Sequence, residues 1–144
     1  MLEATTADWR EIADWVTTFG GHVRRREFAD AAEQFDPAVV SFSSLRDVVV
    51  GLDDLIEHQW QHVWPTIDGF EFDVDALHAF ISPDRCLAVA AVTWTSTGFD
   101  AEGDPFDRPG RATLVLGRDR PSAPWHGIHA HFSLNRGVPQ PTVA

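Results

Sequence analysis

The chain has 144 residues, 44% of them apolar, with ten Phe, six Trp and a formal net charge of −11 at pH 7. Such a composition excludes disorder and allows one domain with its own core, while the acidic field repels phosphate backbones, so nucleic acid is not an expected partner. Lys and Tyr are both missing, which excludes Schiff-base catalysis and a tyrosyl acid.

The opening segment MLEATTADWR has neither the basic nor the apolar region of a signal peptide, and the single Cys86 cannot form an internal disulfide. A cytoplasmic location is the expectation. No apolar run approaches the roughly 18 residues needed to span a membrane. From Thr5 to about Phe35, apolar residues recur at three and four, which is helical periodicity, with a kink or break expected at Gly20-Gly21 and a stop at Asp36-Pro37. Arg24-Arg25-Arg26 reads as a solvated face pairing with Glu27, Asp30 and Glu33.

A short strand is expected at Ala38–Phe42 and a β-favouring run at Arg46–Val50, closed by Gly51. Asp53 and Asp54 then start a helix that runs through Val63 and ends at Pro65. Four long strands complete the pattern: Phe70–Ile81, Cys86–Gly98, Phe106–Arg118 and Trp125–Leu134. Short turns join them, so they form an antiparallel meander. Residues 1–136 make the domain, and Gly137–Ala144 reads as a flexible tail.

Alternate side chains of a strand point to opposite faces. The later strands are apolar on both: Val89 and Ala91 oppose Ala88, Ala90, Val92 and Trp94, and Val115 opposes Leu114 and Leu116. Helices here can cover only one face. The expectation is a homodimer that buries the other.

Two segments then carry a family resemblance: Pro109-Gly110-Arg111-Ala112-Thr113-Leu114-Val115-Leu116, and Trp125-His126-Gly127-Ile128-His129-Ala130-His131-Phe132-Ser133. With Gly51, the Leu52–Val63 helix and Pro65, they resemble the nuclear transport factor 2-like superfamily, in particular its SnoaL-like branch, over roughly Phe28 to Ser133. The resemblance implies an α+β fold of the cystatin-like roll type, a cone-shaped curved antiparallel sheet packed on N-terminal helices. It also implies a pocket at the open end and frequent dimerisation through the outer sheet face. It implies no single activity, because the superfamily holds isomerases, polyketide cyclases, dehydratases, epoxide hydrolases and kinase association domains.

Several side chains are candidates for chemistry. His129 and His131 share one strand face, but His126 faces away and no nearby Cys or paired carboxylate completes a ligand set, so no metal and no other cofactor is expected. His58 and His62 sit at i and i+4 on the central helix, where Gln59 replaces the Glu of a metalloprotease motif; either His is a candidate polar group at the pocket mouth. Ketosteroid-isomerase chemistry needs a carboxylate base and a donor such as Tyr, and Asp73, Asp75 and Asp107 read as solvated. Asp107-Arg108 is adjacent rather than convergent, unlike a water-activating Asp-Arg-Asp set. Cys86 and Ser133 read as inert.

Aromatic residues come from every element around the cone, so the expected ligand-binding wall is Phe42, Trp60, Trp64, Phe80, Trp94, Leu114 and Phe132, enclosing a small apolar molecule. In kinase association domains of the superfamily a pocket Arg stands at the position of Phe132 and another at that aligned with Leu114. By that resemblance an anionic ligand is not expected. Three readings stay open: a small-molecule-binding domain, an isomerase, cyclase or hydrolase using a pocket His or Asp without metal, and a homo-oligomeric assembly module.

Overall fold

A computed structural model describes residues 1–140. After the edge strand β1 (Leu2–Glu3) comes helix α1 (Thr6–Arg25), which Thr5 caps by accepting the Asp8 backbone N–H at 3.3 Å. Its buried stripe of Ile12, Val16, Phe19 and Val23 faces the sheet. The expected kink at Gly20-Gly21 does not occur. A Cβ at Gly20 would lie 2.9 Å from the Phe72 ring, so the missing side chain is what lets an unbroken helix lie close to the strands.

Helix α1 ends at Arg26, left-handed at φ 58°. The arginine triplet is not a plain solvated face: Arg25 pairs with Glu27, but Arg24 donates to the Phe70 carbonyl and Arg26 to those of Trp64 and Ile67. The Arg26 bonds clamp the end of α1 onto the central helical segment and satisfy carbonyls at that segment's end, and the Arg24 bond ties it to the strand that holds Phe70.

A short α2 (Phe28–Ala32) follows, then β2 (Phe35–Phe42) and β3 (Val49–Val50). The helical reading to Phe35 therefore overran into a strand. The central segment is composite: α3 (Leu52–Leu55), a π turn at Ile56–Trp60, α4 (Gln61–Val63) and a 3-10 turn at Trp64–Thr66. In the π turn the Gln61 N–H reaches the Ile56 carbonyl, five residues back. The widened turn puts two neighbours in sequence, Gln59 and Trp60, both inside.

The remaining strands are β4 (Asp68–Phe72), β5 (His78–Ile81), β6 (Leu87–Phe99), β7 (Pro105–Asp107), β8 (Gly110–Gly117) and β9 (His126–Leu134). They form one curved sheet in the order β1-β5-β6-β8-β9-β2-β3, with β4 and β7 also paired to β6. All pairs are antiparallel except β2 with β9, which is parallel. Two of the four long strands expected are in fact split. A 3-10 turn at Val74–Ala76 separates β4 from β5, and Arg108-Pro109 separates β7 from β8.

The first split changes side-chain parity. Phe70 and Phe72 face inward before the turn, Leu77, Ala79 and Ile81 after it, and Phe80 emerges on the outer face at 41% exposure. A bulge opposite Val115 and Leu116 has the same effect on Ile128, expected inward beside Ala130 and Phe132 but turned outward.

Helices cover only the inner face. On the outer face, the register aligns Phe80, Val89, Val115 and His129 in one cross-strand row. Of the segment read as a tail, Val138 packs against the core and its N–H bonds to the Asn135 carbonyl; residues 141–144 lie outside the described residues.

Candidate functional site: an aromatic cavity with a cationic end

Where the central segment crosses the inner sheet face, the side chains leave a cavity of about 50 Å³. Its walls are aromatic and come from six elements: Phe19, Phe35, Trp60 with Trp64, Phe70, Trp94 and Phe132. Trp60 and Trp64 stack with ring centroids 4.7 Å apart, an i, i+4 pair that the π turn aims at the sheet. Phe19 lies beneath them, its centroid 5.0 to 6.4 Å from six other aromatic rings.

The polar residues gather at one end: Ser41, Ser43 and Ser44 from the end of β2 and the loop after it, Gln59 from the π turn, and Arg108 from the break between β7 and β8. The Ser43 hydroxyl lies 2.7 Å from Gln59 Oε1 and 3.0 Å from the Arg46 carbonyl, its two possible acceptors, and itself accepts the Arg46 N–H. Arg108 is only 7% exposed. Its guanidinium donates to Ser96 Oγ at 3.4 Å and Ser44 Oγ at 3.3 Å, and its central carbon sits 5.4 Å from the Trp94 ring centroid.

Among the described residues no carboxylate pairs with Arg108. Burial alone lowers its pKa to about 10, so it remains a cation at neutral pH. The indole N–H of Trp94, in the same wall, is also buried and without an acceptor. Outside this end lies an open cleft of about 730 Å³, lined by Leu45, His62, Phe99 and Phe106 among others, and it shares Val63, Ile67 and Arg108 with the cavity. Arg108 therefore stands between interior and solvent.

The residues expected to form a ligand wall are placed unequally. Trp60, Trp64, Trp94 and Phe132 line the cavity. Leu114 shares their face but is fully buried between Ala90 and Ala130, behind the wall. Phe42 and Phe80 are on the other side of the sheet, and Phe42 meets the rings of His129 and His131 edge-on. For Phe42 the cause is β2 alternation, which turns Ser41 in and Phe42 out.

Of the candidate catalytic groups, His58 is exposed near Asp54, Asp107 is exposed on β7, and His62 lines the outer cleft without lining the cavity. No Asp, Glu, His or Cys lines the cavity among the described residues. The pocket is not wholly apolar either, because of Arg108, a residue weighed in the sequence only beside Asp107.

His129 and His131 face outward, with His129 Nδ1 2.7 Å from the Val40 carbonyl. Two other groups bring three possible ligand atoms within 4.8 Å: His22, Glu27 and Asp30, and Asp54, Glu57 and His58. In the first, Glu27 Oε1 already receives Arg25 and contacts His22; all three residues of the second are on the exposed surface. No described helix is long and apolar enough to cross a membrane.

No family profile and no curated protein sequence matches the chain. Solved structures do match. A nuclear transport factor 2-like superfamily protein from Salmonella enterica serovar Typhimurium LT2 is 19% identical, with 96% of this chain and 100% of that chain covered at a TM-score of 0.73. A ketosteroid isomerase-like protein from Erwinia carotovora atroseptica is 14% identical over 91% and 98% of the two chains, TM-score 0.76. A putative calcium/calmodulin-dependent protein kinase II association domain from Xanthomonas campestris is 21% identical over 96% and 97%, TM-score 0.74. The chain has the nuclear transport factor 2-like fold, an α+β architecture that other matching structures describe as cystatin-like.

Proposed function

We propose that this chain is a small-molecule-binding domain of the SnoaL-like type, whose cavity takes the apolar body of a compact ligand and offers hydrogen-bond donors to its other end. The observation that carries this reading is the lining: aromatic rings from six elements and, among the described residues, no group able to act as a base. An isomerase or cyclase needs a carboxylate or imidazole within hydrogen-bond reach of the proton it removes. His58, His62 and Asp107 are exposed and outside the cavity, so binding is favoured over catalysis.

A panel of fragments of at most about five non-hydrogen atoms, the number that a cavity of about 50 Å³ holds, followed by ligand-observed NMR, tests the reading. At least one should bind the wild type and fail to bind Ala130→Leu, because Ala130 is in the lining and the added carbons occupy the void. Binding unchanged in a folded Ala130→Leu protein would place the site elsewhere.

A second reading concerns assembly and stands beside the first. The outer sheet face carries Phe42, Phe80 and Ile128, all more than a third exposed, around the row of Val89, Val115 and His129. We infer a homodimer through that face, a reading that the similarity to association domains also supports. Light scattering should give about twice the 16.0 kDa chain mass at micromolar concentration, and Phe80→Glu should halve it. A wild-type monomer would refute the inference.

A further inference from the structure

The unpaired Arg108 says more about the ligand. We propose that the cavity and its mouth form a binding site for a short-chain monocarboxylate, with the carboxylate held by Arg108 and the hydrocarbon chain among Trp60, Trp94 and Phe132. This rests on the cavity being a ligand site and adds the chemical class of its occupant.

Several independent features converge. A buried cation without a counter-charge is costly, and a fold keeps one where something else supplies the charge. Two serine hydroxyls at 3.3 and 3.4 Å are at the long end of hydrogen bonding and occupy two of the five guanidinium N–H groups. The Trp94 indole N–H, in the same wall, is a second buried donor without an acceptor. The cavity lining holds no carboxylate among the described residues, and Asp100 belongs to the outer cleft, so the inner end rejects cations and accepts anions.

Charge and size narrow the class. One arginine balances one negative charge, and its planar fork matches the two oxygens of a carboxylate. At roughly 10–15 Å³ for each water-sized occupant, the cavity of about 50 Å³ holds on the order of four or five non-hydrogen atoms. That is the size of acetate or propionate, and a tetrahedral dianion such as phosphate brings more charge than one buried guanidinium balances. Access is through the outer cleft, whose lining meets the cavity at Val63, Ile67 and Arg108.

The test is calorimetric titration of propionate, propionamide and inorganic phosphate into the wild type, Arg108→Met and Arg108→Lys, with melting temperatures recorded for all three proteins. Propionate should bind the wild type at least about tenfold more tightly than propionamide, the usual advantage of a charge-assisted pair. Arg108→Met should lose that preference without a lower melting temperature, since it removes a buried unpaired charge, and Arg108→Lys should keep part of it. Equal binding of propionate and propionamide by the wild type would overturn the carboxylate assignment while leaving the cavity as a ligand site. Tighter binding of phosphate than of propionate would overturn it as well. If neither organic probe binds and the fragment panel also finds no ligand, both readings fall together.

Discussion

Phe19→Ala is expected to lower the unfolding free energy by about 3–5 kcal/mol, the range for removing a fully enclosed aromatic side chain. Phe19 is 2% exposed and is in ring contact with residues from α1, β2, the central segment, β4 and β9, so its loss removes packing from both layers at once. The surrounding aromatic rings are too rigid to collapse into the space. Urea denaturation of the variant beside Phe80→Ala gives the contrast, because Phe80 is 41% exposed on the outer face and should cost under about 1 kcal/mol in the monomer. Similar losses in the two variants would mean that the core is not centred on Phe19.

The second large effect is expected at Gly110, where a single methyl group has nowhere to go. A Cβ there would be 2.1 Å from Trp94 Cζ2 and 2.4 Å from the Ser133 carbonyl oxygen, so either the indole or the backbone of β9 must move. Gly110→Ala should cost about 3 kcal/mol, the upper end of overpacking, and should alter the cavity as well, since Trp94 is one of its walls. Gly117→Ala is the control in the same strand: its nearest contact would be Ile128 Cγ2 at 3.4 Å, and it should melt close to the wild type. A stable Gly110→Ala protein would show that Trp94 is not pressed against β8.

These two positions show what the sequence disclosed. The segment from Pro109 to Leu116 was legible as part of a Phe106–Arg118 strand bounded by turn signals, and strand parity put Ala112, Leu114 and Leu116 on one face. Arg108 has the parity of Gly110 and Ala112. The signal that it points inward was therefore present in the strand parity, while its neighbour Asp107 suggested only an adjacent pair.

Other placements had no local signal. Phe80 is turned outward by the Val74–Ala76 turn, which inserts residues between two otherwise regular strands, and Ile128 by a one-residue bulge. The first interruption contains neither Gly nor Pro, and the second follows Gly127 directly. Gly20 misled in the opposite direction, because its missing side chain answers the Phe72 ring, a contact between residues far apart in sequence. The π turn at Ile56–Trp60 also lies beyond a fixed 3.6-residue periodicity.

That a compact ligand occupies the aromatic cavity beside Arg108 is tested most directly by the indole N–H signals of the six tryptophans, followed by nitrogen-15 NMR during titration with propionate. Trp94 Nε1 has no acceptor in the structure, whereas the Nε1 of Trp9 donates to the Leu77 carbonyl and that of Trp15 to the Trp125 carbonyl. The expected result is a saturable shift of the Trp94 signal, with Trp60 or Trp64 responding and Trp9 and Trp15 unmoved. Shifts confined to Trp9 or Trp15, or no saturable shift of Trp94 at any propionate concentration that leaves the protein folded, would contradict it.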